Sequence, residues 1–113
     1  MLLDELLDAI ALPKRETRFK VPPKGAYLIW LDECLRQGAD DLNCITSHNV
    51  TFEVYAPMPD KEAEQSIEDV LDAYGISYFK YACQWLDTES LFLTAYDFSF
   101  MEKDDKQERG NHA

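Results

Sequence analysis

Residues 57–75 read PMPDKEAEQSIEDVLDAYG, and no other stretch constrains the fold as much. Pro57 and Pro59 end whatever precedes them. Asp60 stands where an N-cap belongs, since its carboxylate can accept from an unpaired amide of a first helical turn. Glu62 and Glu64 complement the positive end of a helix dipole. Ala63, Ile67, Val70, Leu71 and Tyr74 recur at helical spacing, and Gly75 occupies the place of a left-handed residue after the last turn. A helix with one apolar stripe must lay it on something. Its neighbours in sequence supply a sheet. Upstream, in ITSHNVTFEVYA, Val50, Phe52 and Val54 alternate with Thr51, Glu53 and Tyr55. Downstream, ISYFKYACQ and SLFLTAYDFSF are rich in aromatic residues. In the latter, Phe92, Tyr96, Phe98 and Phe100 share one parity, and Leu91, Leu93 and Ala95 share the other.

The first half of the chain adds a helix and a strand. Leu2, Leu3, Leu6, Leu7 and Ile10 recur at helical spacing, with Asp4, Glu5 and Asp8 on the other face. Pro13 stops this helix, because the residue before proline avoids the helical region. KRETRFKVPPKG carries two adjacent prolines and predicts an extended connector. AYLIWLDEC is a short, nearly continuous apolar run, as in a strand buried on both faces, and LRQGADDLN is a polar loop. The order is helix, strand, strand, helix, strand, strand. It predicts an α+β fold: a four-stranded, mainly antiparallel sheet over residues 26–34, 44–56, 76–84 and 90–100, with both helices packed on one face. Residues 1–100 form one domain in this reading, and the polar segment 101–113 a disordered tail.

Charge excludes some functions. The 113 residues hold 22 acids against 11 bases, a net of −11, which opposes nucleic-acid binding because that affinity comes largely from neutralising phosphates. No apolar run approaches the ~20 residues that span a bilayer. Cys34, Cys44 and Cys83 are odd in number and lack C-x-x-C spacing, which favours free thiols in a reducing compartment. MLLDELLDAIAL has no basic start and is interrupted by acids, so it does not read as a signal peptide. These features predict a soluble cytoplasmic protein.

Catalytic apparatus is not visible. The carboxylates are dispersed. Cys44 and His48 are four apart and could share a metal only in a helical or sharply bent backbone; in a strand they read as a core thiol and a boundary histidine. His112 lies in the tail, and Cys83, followed by Gln84 and Trp85, reads as packing. There is no G-x-G-x-x-G and no Walker loop. The expectation is no enzyme, no cofactor and no metal. Charge distribution is more telling. Residues 14–24 carry Lys14, Arg15, Arg18, Lys20 and Lys24 against Glu16, a net of +4. Residues 60–72 carry six acids against Lys61, a net of −5. These are two ordinary solvated regions, or complementary surfaces on neighbouring copies.

The stretch from Asn49 to Phe100 resembles a known family. Its alternating strand Val50 to Tyr55, linker Asp60 to Glu64, helix end Val70 to Asp72, Gly75–Ile76, aromatic Tyr78–Phe79, turn residue Glu89 and final Tyr96 to Phe98 are similar to tail-completion, or head–tail joining, proteins of long-tailed siphophages and prophages. Tyr27 to Leu31 matches that family's earlier strand, and GADD at 38–41 its polar tip. The acidic tail, Cys34, Cys44 and the basic segment 14–24 depart from the pattern. The resemblance implies a virion structural protein of the tail or neck, a tail-completion or tail-terminator subunit assembled in the bacterial host cytoplasm. It implies a ring of like subunits, a hexamer, with tail-tube and head-connector proteins as partners and neither sequence-specific nucleic-acid binding nor a membrane. The acidic helix would then face a neighbour's basic connector or a DNA conduit. The interface residues expected are Lys14, Arg15 and Arg18 against Glu64 and Glu68, with Leu35, Leu42, Trp85 and Leu86 as apolar contacts. The rival from another class is a stand-alone acidic protein-binding module, regulator-like or antitoxin-like.

Overall fold

The computed structural model describes residues 2–37 and 44–104. In chain order the elements are α1 (Leu2–Ala9), β1 (Lys14–Glu16), β2 (Tyr27–Gln37), β3 (Cys44–Ala56), α2 (Lys61–Ala73), β4 (Phe79–Lys80), β5 (Gln84–Leu86) and β6 (Leu91–Asp104). The class is α+β, but the four-stranded sheet expected from the sequence is incorrect. The sheet has six strands and is mixed. Its spatial order is β1-β2-β3-β6-β4, with β5 also paired to β6.

Two local causes account for the extra strands. β1 runs parallel to β2, pairing Lys14 with Leu28 and Glu16 with Trp30. Three charged residues carry no alternation, so nothing in KRE marks a strand. The other cause is an interruption. Phe79 faces Asp97 and Gln84 faces Leu93, an advance of five residues against four on β6. One extra residue on the outer strand is a bulge, and it splits the strand expected over 76–84 into β4 and β5. β6 also runs further than expected. Residues 101–104, assigned to a disordered tail, continue the strand and pair with β3 as far as Cys44. The rest of that segment, 105–113, lies outside the described residues.

The centre of the sheet is the antiparallel trio β2, β3 and β6. Because side chains alternate, Leu28, Val50, Phe52, Val54, Tyr96 and Phe98 share one face. Both helices lie on that face: Leu3, Leu6, Leu7 and Ile10 near α1, and Ala63, Ile67 and Leu71 from α2, join those strand residues in one buried cluster. Each fully buried side chain of this size contributes about 1.5–3 kcal/mol relative to exposure.

Helix α2 is fixed at both ends. Asp60 Oδ1 accepts from the Ala63 amide at 3.0 Å. At the other end the Ile76 amide donates to the Leu71 carbonyl and the Gly75 amide to that of Asp72. Gly75 has φ +69°, the left-handed conformation that this closing motif requires. Helix cover ends near Val50 and Phe98. The strands continue outward beyond it, in a molecule measuring 53 × 29 × 21 Å.

Candidate functional site

Three regions carry polar or exposed chemistry. The first joins α2 to the sheet. Glu64 lies one helical turn before Ile67 and two before Leu71, so it sits on the buried stripe and is only 5% exposed. Its carboxylate accepts from Thr94 Oγ1 at 3.1 Å and pairs with Lys80 Nζ at 2.9 Å. Lys80 also reaches Glu68 Oε2 at 2.7 Å, and the fully buried Tyr96 donates its hydroxyl to the same oxygen at 2.7 Å. Burial opposes the charge on Glu68, but the hydrogen bonds from Lys80 and Tyr96 outweigh it and hold the carboxyl below its ordinary range. The hydrogen bond to Glu68, against some desolvation, raises the Lys80 ammonium. Glu64 and Glu68 therefore hold α2 in place on β6 rather than facing outward. The outward acids of α2 are Glu62, Asp69 and Asp72.

The second region is the sheet face away from the helices. Among the described residues no helix covers it, and the connector after β1 packs only on its β1 end, where Tyr27 and Ile29 are buried. Leu31, Leu35, Phe79, Tyr81 and Met101 project from it, with Phe79 62% and Leu35 59% exposed. Asp97 stands near its middle, accepting from Thr51 Oγ1 and from the Tyr81 hydroxyl, each at 2.7 Å. Shallow grooves of about 520 and 430 Å³ flank that carboxylate. At the β1 end, Phe19 of the basic connector packs edge-on against Tyr27, which stacks on Tyr55 at 5.3 Å. Arg18 borders the small cavity there together with Glu89.

The interface residues expected from sequence fall in separate places. Lys14 and Arg15 lie on β1, one end of the sheet, with Arg18 just after it. Trp85 and Leu86 lie on β5, at the opposite end. Trp85 is 49% exposed and leans on Phe92 at 4.9 Å. Leu35 is on the open face, and Leu42 lies outside the described residues. The structure does not bring the basic set against Glu64 and Glu68, which are engaged by Lys80 in the same subunit.

The third region is a histidine cluster where helix cover stops. His48 is 4% exposed and its ring stacks on Phe100 at 4.5 Å. The register sets Cys34 directly across from His48, with Asp32 and Glu102 as diagonal neighbours. Nδ1 of His48 lies 2.9 and 3.0 Å from the two Asp32 oxygens and 3.4 Å from Cys34 Sγ, and Nε2 lies 3.3 Å from Glu102 Oε1. Desolvation, then the adjoining Asp32 carboxylate, pushes the Cys34 thiol above its ordinary range. That is the wrong direction for a nucleophile, which needs its thiolate. Sequence reasoning missed this group because it looked at Cys44, four residues away, whereas the partner is Cys34, fourteen residues away and across a strand pair. Only the hairpin register reveals it.

No protein-family model matches the chain, and no curated protein matches it.

Proposed function

We propose that this protein is a phage or prophage virion structural subunit, a tail-completion or tail-terminator protein that works by forming a ring at the head–tail junction and carries out no catalysis. The observation that carries the reading is the uncovered sheet face. That face groups the exposed side chains of Leu31, Leu35, Phe79, Tyr81 and Met101 around polar Thr51, Asp97 and Ser99, and exposed apolar side chains gathered on one face and bordered by polar ones suit an assembly surface. The two ends of the sheet support a ring in particular. β1 is short and basic, while β4 and β5 are flanked by the exposed aromatic side chains of Phe79, Tyr81 and Trp85. Unlike edges on one subunit suit head-to-tail contact, which closes into a ring when the rotation allows. The sequence resemblance supplies the place in the virion.

The charges act differently from the sequence expectation. Arg15 and Arg18 meet the outward acids of the next copy, such as Glu62 and Asp69, and set orientation more than affinity. Apolar contact on the open face and the β5 edge supplies most of the association.

The test pairs a head–tail joining assay with native mass spectrometry. Phe79→Glu and Leu35→Glu, both at exposed positions, should leave a folded chain that neither forms rings nor joins heads to tails. Variants that join like wild type would contradict the reading. So would a chain that stays monomeric in the presence of tail-tube and head-connector proteins, as a stand-alone binding module would.

A further inference from the structure

The histidine cluster has a donor set that the ring reading does not use. Asp32, Cys34 and His48 each offer one ligand atom, and these atoms all lie within 4.8 Å of one another. A tetrahedral zinc ion bound at about 2.0–2.3 Å holds its nitrogen, oxygen and sulfur ligands roughly 3.3–3.6 Å apart. Here Nδ1 is 3.4 Å from the sulfur and 2.9 Å from the nearer Asp32 oxygen, so small side-chain rotations produce that geometry.

The other side of the ring matters as much. Glu102 can accept a proton held on Nε2. That bond leaves the Nδ1 lone pair facing Asp32 and Cys34, and a carboxylate behind the far nitrogen is the usual outer partner of a metal-bound histidine. In that tautomer Nδ1 and the Asp32 oxygens are both acceptors, and a cation between them resolves the conflict.

We propose that Asp32, Cys34 and His48 form a binding site for a divalent transition-metal ion of the zinc class. The ligands come from the two strands of one hairpin, so the ion clamps β2 to β3 where helix cover ends. Sulfur and imidazole donors select zinc or cobalt over calcium or magnesium, which favour oxygen alone. Binding displaces the Cys34 thiol proton to solvent. Because Cys34 is exposed, the fourth coordination position faces water. Fixing the hairpin in this way stabilises the folded chain by mass action. The site stands on the cluster's own geometry and does not depend on ring assembly.

The probe is Co²⁺ alone, added to the full-length, reduced, chelator-stripped protein. One equivalent should bind with thiolate-to-cobalt charge-transfer absorption, and Zn²⁺ should displace it. Cys34→Ser should abolish the absorption, and Asp32→Asn should weaken binding, while Cys83→Ser changes neither. Glu102→Gln should keep the absorption and weaken affinity roughly tenfold. Zn²⁺ should also raise the melting temperature of wild type but not of Cys34→Ser. A folded wild-type chain that binds neither ion stoichiometrically would overturn the proposal and leave His48 as an imidazole held between two carboxylates. Absorption that survives Cys34→Ser would overturn it equally.

Discussion

The two faces of this sheet are made by alternate residues of the same strands, yet they have opposite fates. On one face, Val50, Phe52 and Val54 of β3 are buried beneath two helices. On the other, Thr51, Glu53 and Tyr55 are only partly covered, and the neighbouring Leu31 and Leu35 are exposed. The helix-covered face also recruits polar groups, but it satisfies them internally through Lys80, Thr94 and Tyr96. The open face buries Tyr27 and Ile29 at its β1 end and leaves Leu31, Leu35, Phe79, Tyr81 and Met101 exposed beyond it. In the proposed reading stability belongs to the first face and assembly to the second, and substitutions should separate the two.

The largest effect is expected from the covered face. Phe52→Ala should destabilise the chain by about 3–5 kcal/mol and Leu71→Ala by about 2–5 kcal/mol in urea unfolding. Leu31→Ala, on the open face and partly covered, should cost only about 1 kcal/mol. Comparable losses at Phe52 and Leu31 would break the comparison.

Lys80→Met comes next. It leaves the Glu64 carboxylate buried without its cation, at a cost of about 1–3 kcal/mol given that Lys80 itself is partly exposed. Adding Glu64→Gln should recover part of the loss, and a double-mutant cycle measures the coupling. Removing the helix cap with Asp60→Ala should cost about 1 kcal/mol by the same unfolding measurement.

How readable these elements are in the sequence differs between them for physical reasons. Helix α2 is legible from end to end, because Asp60, the apolar stripe and Gly75 are local signals. Phe52 and Leu71 are legible as core through periodicity. Charge alone makes Glu64 a surface acid, although its spacing to Ile67 and Leu71 puts it on the stripe. β1 is not legible because it is three charged residues paired in parallel to a strand. The bulge between β4 and β5 is hidden because YACQ contains neither glycine nor proline. The histidine cluster depends on register across three strands, which no local pattern encodes. The uncovered face is visible only as partial polarity of β3.

The Glu68–Lys80 pair gives a smaller effect, read against pH. The Glu68 carboxyl is depressed in the fold, so its contribution is present above the unfolded value of about 4.3 and is lost as pH falls through the lower folded value. Lys80 is raised, so its contribution is present below about 10.4 and is lost as pH rises through the folded value. The partial exposure of Lys80 keeps each contribution under about 1 kcal/mol. Stability of wild type measured from acid to alkaline pH should fall on both sides of this window, and Lys80→Met should flatten both limbs. Unchanged limbs in that variant would remove the pair from the account.

The most direct measurement of the division between the faces is amide hydrogen exchange on the chain, free and joined to phage tails. Assembly through the open face and its edges predicts new protection at residues 79–86 and at β1. New protection confined to α1 and α2, with residues 79–86 exchanging as in the free chain, would contradict it.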